Sequence, residues 1–135
     1  MKKFLHLVSA TFFILALCIG CGAGNNYQHI SQIEAEKIIS AEKNLIILDV
    51  RTQEEYEKRH IPNSILLPID EIKKGNFEEK LPDKSQKILI YCWTGRRAED
   101  SAEILVKKGY RNVFEFGGLV NWTGEVEGSE VESKN

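Results

Sequence analysis

The chain has 135 residues, enough for a single folded domain and little else. Hydrophobic residues make up 42% and charged residues 28%, as in an ordinary globular protein, and only 10 glycines and 3 prolines exclude collagen-like and low-complexity classes. Three cysteines are too few, and odd in number, for a disulfide framework, and a net charge of −2 argues against a nucleic acid held through its phosphates.

The first 20 residues have the pattern of a secretory signal peptide. Lys2 and Lys3 precede an apolar run over residues 7–20, which is shorter than the roughly 20 residues that a membrane-spanning helix needs. An N-terminal anchor helix or a buried helix is the alternative. The segment 22–26 is rich in glycine and asparagine and is typical of a flexible linker, which favours a signal that is removed.

The segment Cys18-Ile19-Gly20-Cys21 resembles the lipobox of bacterial lipoproteins. In that motif a small residue precedes the cysteine that is lipidated and becomes the mature N-terminus, and Gly20 and Cys21 match those positions. Cys18 departs from the usual leucine. The resemblance implies a lipid anchor on Cys21, a linker over residues 21–27 and an extracytoplasmic protein attached to a membrane. Cleavage of an ordinary signal without lipidation is the alternative.

Two capping boxes predict helix starts in the first half of the remaining chain. Ser31, with Glu34 three residues later, opens a helix of about ten residues. Thr52, with Glu55, opens a short helix that ends near Arg59, because Pro62 follows.

Residues 45–48 form a continuous apolar run, which is typical of a strand that is covered on both faces. Residues 64–67, 87–91 and 113–116 are the other predicted strands. Residues 70–80 predict a weakly amphipathic helix that Gly75 interrupts, and the apolar spacing over residues 98–106 predicts a longer helix that ends at Gly109. Residues 119–122 are predicted to form a last helical turn.

Helices that alternate with buried strands indicate an α/β fold with a mostly parallel sheet and helices on both faces. We place this domain at residues 28–123. Residues 124–135 are acidic and poor in apolar side chains, so we expect a flexible tail there.

Cys92 stands where a predicted strand meets a predicted helix. In open α/β sheets, sites lie beyond the carboxyl ends of the strands, and Cys92 is followed by the short loop Trp93-Thr94-Gly95. The N–H groups of this loop and of the next helix, together with Arg96 and Arg97, stabilise an anion and so favour the nucleophilic thiolate. An inert buried cysteine is the alternative. Two arginines at a helix N-terminus oppose the helix dipole, which points to a bound anion.

Three segments in this order resemble the rhodanese homology domain. They are Leu48-Asp49-Val50-Arg51 with Glu54-Glu55-Tyr56 and Arg59-His60-Ile61-Pro62, the loop Cys92-Trp93-Thr94-Gly95-Arg96-Arg97, and Gly117-Gly118 with Trp122. The resemblance covers essentially residues 28–123. It implies a mostly parallel five-stranded sheet and a sulfurtransferase, in which a cysteine takes the outer sulfur of a donor and passes it on.

Carried over position by position, the resemblance implies that Cys92 is the sulfur carrier. It further implies that residues 93–97, that is Trp93, Thr94, Gly95, Arg96 and Arg97, form the substrate-binding loop. Arg96 and Arg97 are expected to stabilise the leaving sulfite. Asp49 and Arg51 match a strand end beside the site, where a supporting role is expected.

The implied partners are a small donor such as thiosulfate and an acceptor such as cyanide or a thiol, with a thioredoxin-like protein among the candidates. The implied chemistry needs no organic cofactor and no metal, and His29 and His60 lack the companions of a metal site. Departures from the family pattern at Arg59, Leu67 and Ala98 mostly concern packing and capping.

Two other functions stay open. A binding or sulfide-sensing module of the same fold would use the domain without turnover. A phosphatase of the related type would carry five residues between its cysteine and arginine, whereas four separate Cys92 from Arg97, which favours a pocket for a single sulfur.

Overall fold

The computed structural model of the chain describes residues 26–132. The predicted signal peptide over residues 1–20 and the predicted lipidation site Cys21 lie outside the described residues. The strands are β1 (Gln28–His29), β2 (Leu45–Asp49), β3 (Ile65–Leu66), β4 (Lys87–Cys92) and β5 (Asn112–Gly118). The α-helices are α1 (Gln32–Ala41), α2 (Gln53–Lys58), α3 (Ile69–Lys74), α4 (Arg96–Lys107) and α5 (Ser129–Glu132). A single 3₁₀ turn at Leu119–Asn121 follows β5.

The five strands form one sheet in the order β1-β5-β4-β2-β3, and all four neighbouring pairs are parallel. Parallel neighbours need a crossover between them, and the helices in the sequence provide it. The predicted five-stranded parallel sheet is therefore confirmed. No helix among residues 26–132 has the length and apolar character needed to cross a bilayer.

Side chains of the central strand β4 alternate between two apolar layers. Ile88 and Ile90 are fully buried in the layer that contains α3 and α4, where Leu105 is also fully buried. Leu89 and Tyr91 are buried in the opposite layer, which contains residues of α1. The helices thus cover both faces of the sheet, and Cys92 ends β4 on the side of α4.

Both predicted helix caps are present. The hydroxyl of Ser31 accepts a hydrogen bond from the Glu34 N–H at 3.2 Å, and Thr52 and Glu55 form the complete reciprocal box at the start of α2. The predicted helix over residues 70–80 is wrong in its extent, because α3 ends at Lys74. Gly75 takes a left-handed conformation with φ of 86° and terminates the helix where an interruption was expected.

The edges of the domain differ from the sequence prediction. Strand β1 is only two residues long and has no apolar side chain, so no sequence pattern predicts it. It is defined by its parallel pairing with β5. Residues 124–132, expected as a flexible tail, instead make contacts: Val126 packs on the α1 layer, and Glu127 pairs with His60 in an antiparallel bridge. The sequence around Val126 and Glu127 is typical of a polar tail. In the structure, however, Val126 covers part of an apolar layer and the Glu127 backbone pairs with that of His60.

Candidate active site

The Cys92 thiol lies at the carboxyl end of the central strand and is 1% exposed. The Gly95 N–H donates a hydrogen bond to its Sγ at 3.0 Å. This requires the loop to curl back on the cysteine, which Gly95 permits with φ of 111° immediately before α4 begins. The sulfur therefore faces the backbone N–H groups at the start of a 12-residue helix, an arrangement that stabilises a thiolate or a persulfide anion.

The end of β5 holds the loop in place through its backbone. A Cβ on Gly118 would come within 2.0 Å of the Trp93 carbonyl oxygen, so only glycine allows this approach. The same oxygen accepts a hydrogen bond from the Val120 N–H at 3.1 Å, and the Gln32 side chain donates to the Gly118 carbonyl at 2.7 Å. Gly118, noticed in the sequence only through the family resemblance, thus has a direct steric reason.

Arg97 is bound by a glutamate from another helix. Its two terminal nitrogens donate to the two Glu55 carboxylate oxygens, each at 2.8 Å. This bidentate pair, helped by the Thr52 N–H, lowers the pKa of Glu55 to about 2. Glu55 in turn raises the pKa of Arg97, with smaller contributions from the Cys92 sulfur. The guanidinium therefore links α2 to the nucleophile.

Three residues of the cysteine loop and the following helix start are exposed to solvent: Trp93, Thr94 and Arg96. The Trp93 side chain is 41% exposed, and Arg96 and Thr94 are exposed as well. Among residues 26–132 the Arg96 guanidinium has no ion pair or hydrogen bond, in contrast to Arg97. An uncommitted cation at a helix N-terminus is unfavourable unless an anion binds there.

Asp49 and Arg51 form a buried ion pair at the same edge of the sheet. Arg51 donates from Nε and Nη2 to the Asp49 carboxylate, at 3.0 Å and 2.7 Å, and Nη2 also donates to the Arg59 carbonyl at 2.6 Å. Both side chains are almost fully buried, at 2% and 0% exposed. The pair joins the end of β2 to the end of α2.

Sequence reasoning gave no role in the site to two glutamates. Glu55 was interpreted only as half of a capping box and as part of a family motif, although it also binds Arg97. Glu115 is 1% exposed; it pairs with His29 through one oxygen and accepts the Gly117 N–H at 3.0 Å through the other. The sequence does hold a signal for Glu115, because it is a charged residue between Phe114 and Phe116 in a predicted buried strand. A buried charge usually has a partner.

The rhodanese-like domain family matches residues 31–125 of the chain. The thiosulfate sulfurtransferase GlpE of Coxiella burnetii is 33% identical over 97 residues, which cover 71% of this chain and 87% of that protein. The thiosulfate sulfurtransferase PspE of Escherichia coli is 36% identical over 72 residues, covering 53% and 68%. A putative sulfur carrier protein of Bacillus subtilis is 35% identical over 109 residues, and the chain spans only 57% of its length.

Solved structures agree with the sequence comparison. The rhodanese-like domain of an Anabaena protein superposes with a TM-score of 0.68 at 25% identity, covering 79% of this chain and 83% of that one. A rhodanese from Escherichia coli, solved with anions, superposes with a TM-score of 0.57 at 31% identity, covering 62% and 98%. The sheet, the cysteine loop and these relatives together establish that the chain belongs to the rhodanese-like family and has its α/β fold.

Proposed function

We propose that this protein is a thiosulfate:acceptor sulfurtransferase that works through a persulfide on Cys92. The observation that carries the proposal is the buried Cys92 sulfur, 3.0 Å from the Gly95 N–H, at the N-terminus of α4. Two relatives named thiosulfate sulfurtransferase support the choice of donor. The phosphatase alternative is disfavoured by the four-residue spacing from Cys92 to Arg97.

In the first half-reaction the Cys92 thiolate attacks the outer sulfur of thiosulfate. The sulfur–sulfur bond of the donor breaks, and sulfite leaves with the bonding electron pair. Arg96, exposed and unpaired among the described residues, is placed to bind the donor's oxyanion. Arg97 is held by Glu55 and offsets charge on the sulfur, and the loop N–H groups of residues 93–97 receive the persulfide.

In the second half-reaction an acceptor thiolate or cyanide attacks the outer sulfur of the persulfide. The new bond forms as the bond to Cys92 breaks, so the Cys92 thiolate returns and the acceptor leaves as a persulfide or as thiocyanate. Two successive substitutions at one sulfur need no redox partner and follow ping-pong kinetics.

The direct test is mass spectrometry of the purified protein after thiosulfate treatment. We expect a gain of one sulfur atom on the tryptic peptide of residues 88–96, lost on adding cyanide and absent in Cys92→Ser. Arg96→Gln should raise the thiosulfate KM, whereas Lys107→Gln at the far end of α4 should leave it unchanged. No sulfur gain in the wild-type protein would instead favour a binding or sulfide-sensing module.

We also propose that Cys21 carries a lipid and that the domain is extracytoplasmic and membrane-attached. The support is the basic start, the short apolar run and the small residue before Cys21 in the sequence. Labelling with a lipid precursor should be lost in Cys21→Ala and retained in Cys18→Ala. Labelling that persists in Cys21→Ala would contradict the assignment.

A further inference from the structure

Glu115 is a buried carboxylate in the middle of β5 to which the proposed mechanism gives no part. Its backbone is held from both sides, because it pairs with Ile90 of β4 and with His29 of β1. One carboxylate oxygen pairs with the His29 ring, and the other accepts the Gly117 N–H at 3.0 Å. A buried carboxylate is costly unless its oxygens have partners, and here each oxygen has one. The side chain of Glu115 is therefore fixed in orientation as well as in position.

The Gly117 N–H lies at an irregularity of the sheet. The ladder pairs Glu115 with residue 90 of β4 but Gly118 with Cys92, so two residues of β5 stand opposite a single residue of β4. A bulge of this kind takes a residue out of the ladder, and an N–H outside the ladder needs another acceptor. Gly117 also has φ of 85°, which glycine adopts without strain. By accepting the Gly117 N–H, the Glu115 carboxylate fixes the backbone inside the bulge.

Gly117 passes this constraint on to the cysteine loop. A Cβ on Gly95 would lie 3.2 Å from the Gly117 Cα, so the backbones of the two glycines are in contact. Gly95 is the residue whose N–H donates to Cys92 Sγ at 3.0 Å. Because a hydrogen bond weakens steeply as it bends, a displaced Gly117 would misdirect this N–H and stabilise the thiolate less. One hydrogen bond and one backbone contact thus connect the Glu115 carboxylate to the residue that faces the sulfur.

We propose that Glu115 is a positioning residue for the nucleophile: its carboxylate fixes Gly117, against which Gly95 packs, and so aims the Gly95 N–H at the Cys92 sulfur. Position 115 then needs a hydrogen-bond acceptor of this reach, and a negative charge is not required. Glutamine supplies such an oxygen, and its amide N–H donates to the unprotonated nitrogen of a neutral His29 ring. The inference concerns Cys92 as a nucleophile and does not depend on the identity of the sulfur donor.

Alkylation of the full chain by iodoacetamide tests the proposal without a sulfur donor. The Cys92 thiolate attacks the carbon that bears iodine, a carbon–sulfur bond forms, and iodide leaves with the electron pair. The reaction is followed on the tryptic peptide of residues 88–96, which holds Cys92 as its single cysteine. Glu115→Met has a similar length but no oxygen, so we expect alkylation about tenfold slower at neutral pH, the scale of a hydrogen bond to an ionised group. Glu115→Gln should react as fast as the wild type, which is the rescue that an acceptor role requires.

Val113→Ala is the matched control for a loss of stability. Val113 is buried on the same strand, where it pairs with Ile88 and packs in the α4 layer, at the opposite end of β5 from Gly118. Its truncation should lower the free energy of unfolding, measured in urea, and leave the alkylation rate of Cys92 unchanged. If Glu115→Met does not fold, Glu115→Val gives the same test, because a β-branched side chain suits a buried strand and also lacks an acceptor.

An unchanged alkylation rate in Glu115→Met would overturn the proposal. An equal loss in Glu115→Gln would overturn it too, since the charge would then be the property that matters, and so would an equal loss in Val113→Ala. Thiosulfate loading of the same samples reports on sulfur transfer separately. A wild-type protein that gains no sulfur, in a series that still shows the slow Glu115→Met and the rescued Glu115→Gln, would contradict the proposed function and support the positioning role.

Discussion

At the scale of single residues, the two neighbouring arginines of the loop differ in what they are free to do. Arg97 is committed to Glu55 through two hydrogen bonds, whereas Arg96 is exposed and unpaired within residues 26–132. Sequence reasoning gave both arginines the same task. The structure separates them, because the partner of Arg97 comes from α2, 42 positions earlier in the chain.

Replacing Glu55 by glutamine should therefore weaken catalysis through Arg97. An amide cannot hold a guanidinium in the bidentate geometry of a carboxylate, so the loop loses a constraint beside the sulfur. We expect kcat/KM for thiosulfate to fall about tenfold, with the larger share in kcat. Glu57→Gln is an equivalent change on the same helix, and within residues 26–132 its carboxylate binds Gln53 alone, so this variant should stay within about twofold. Equal losses in both variants would mean that α2 matters only for stability.

The Glu55 pair also predicts a pH dependence. Arg97 lowers the pKa of Glu55 from 4.5 to about 2. The pair therefore stabilises the folded state fully at pH values above the pKa that Glu55 has in the unfolded chain. That contribution is lost as the pH falls from 4.5 through about 2. In urea unfolding, the gap in stability between the wild type and Glu55→Gln should be constant from neutral pH to about 4.5 and should narrow below it. A gap that stays constant down to pH 2 would show that the pair contributes nothing.

At the scale of elements, the site depends on how β5 meets the loop after β4. The register between these strands shifts between Ile90 and Cys92, so that Cys92 pairs with Gly118. The shift places a residue without a side chain against the Trp93 carbonyl. The helix α4 and the loop can then begin directly at the strand end, with the Gly95 N–H aimed at the sulfur.

Adding one methyl group at Gly118 should displace the loop. In Gly118→Ala the Cβ would lie 2.0 Å from the Trp93 oxygen, and the Trp93 peptide must move to relieve the clash. We expect a loss of about 1–3 kcal/mol in stability, from overpacking, and at least a tenfold slower formation of the persulfide. The control is Gly75→Ala, where the added Cβ would meet no atom of the described residues within 4 Å apart from its chain neighbours, and only backbone strain from the positive φ is added. It should cost about 1 kcal/mol and leave the rate unchanged.

At the scale of the whole molecule, the sequence predicts the architecture far better than the site. Apolar runs and two capping boxes specify the buried strands and the helix starts, because these signals are local. The Glu55–Arg97 pair, the pairing of Glu115 with His29 and the bridge from Glu127 to His60 join residues far apart in the chain. No local pattern encodes such contacts. The end of α3 was misjudged for a related reason: Phe77 and Leu81 are buried without being helical.

The two-layer core makes a prediction for the entire domain. Leu105 is fully buried on α4 against the sheet, so Leu105→Ala should lower the free energy of unfolding by about 2–5 kcal/mol. Ile33→Ala, at a side chain that is 67% exposed, should change it by less than about 0.5 kcal/mol. Chemical denaturation of both variants provides the measurement. A small loss in Leu105→Ala would mean that the α4 layer contributes little to the stability of the fold.

Cys92 is the one free cysteine among residues 26–132, and it is buried. Under the proposed function, a sulfur loaded on it has no neighbouring thiol in this part of the chain to receive it. The lifetime of the loaded form is then set from outside, by how often an acceptor arrives. The loaded fraction of the protein should consequently follow the ratio of donor to acceptor around it. Such a domain would store one sulfur atom per molecule, and its loaded fraction would report the ratio of sulfur donor to sulfur acceptor in its compartment.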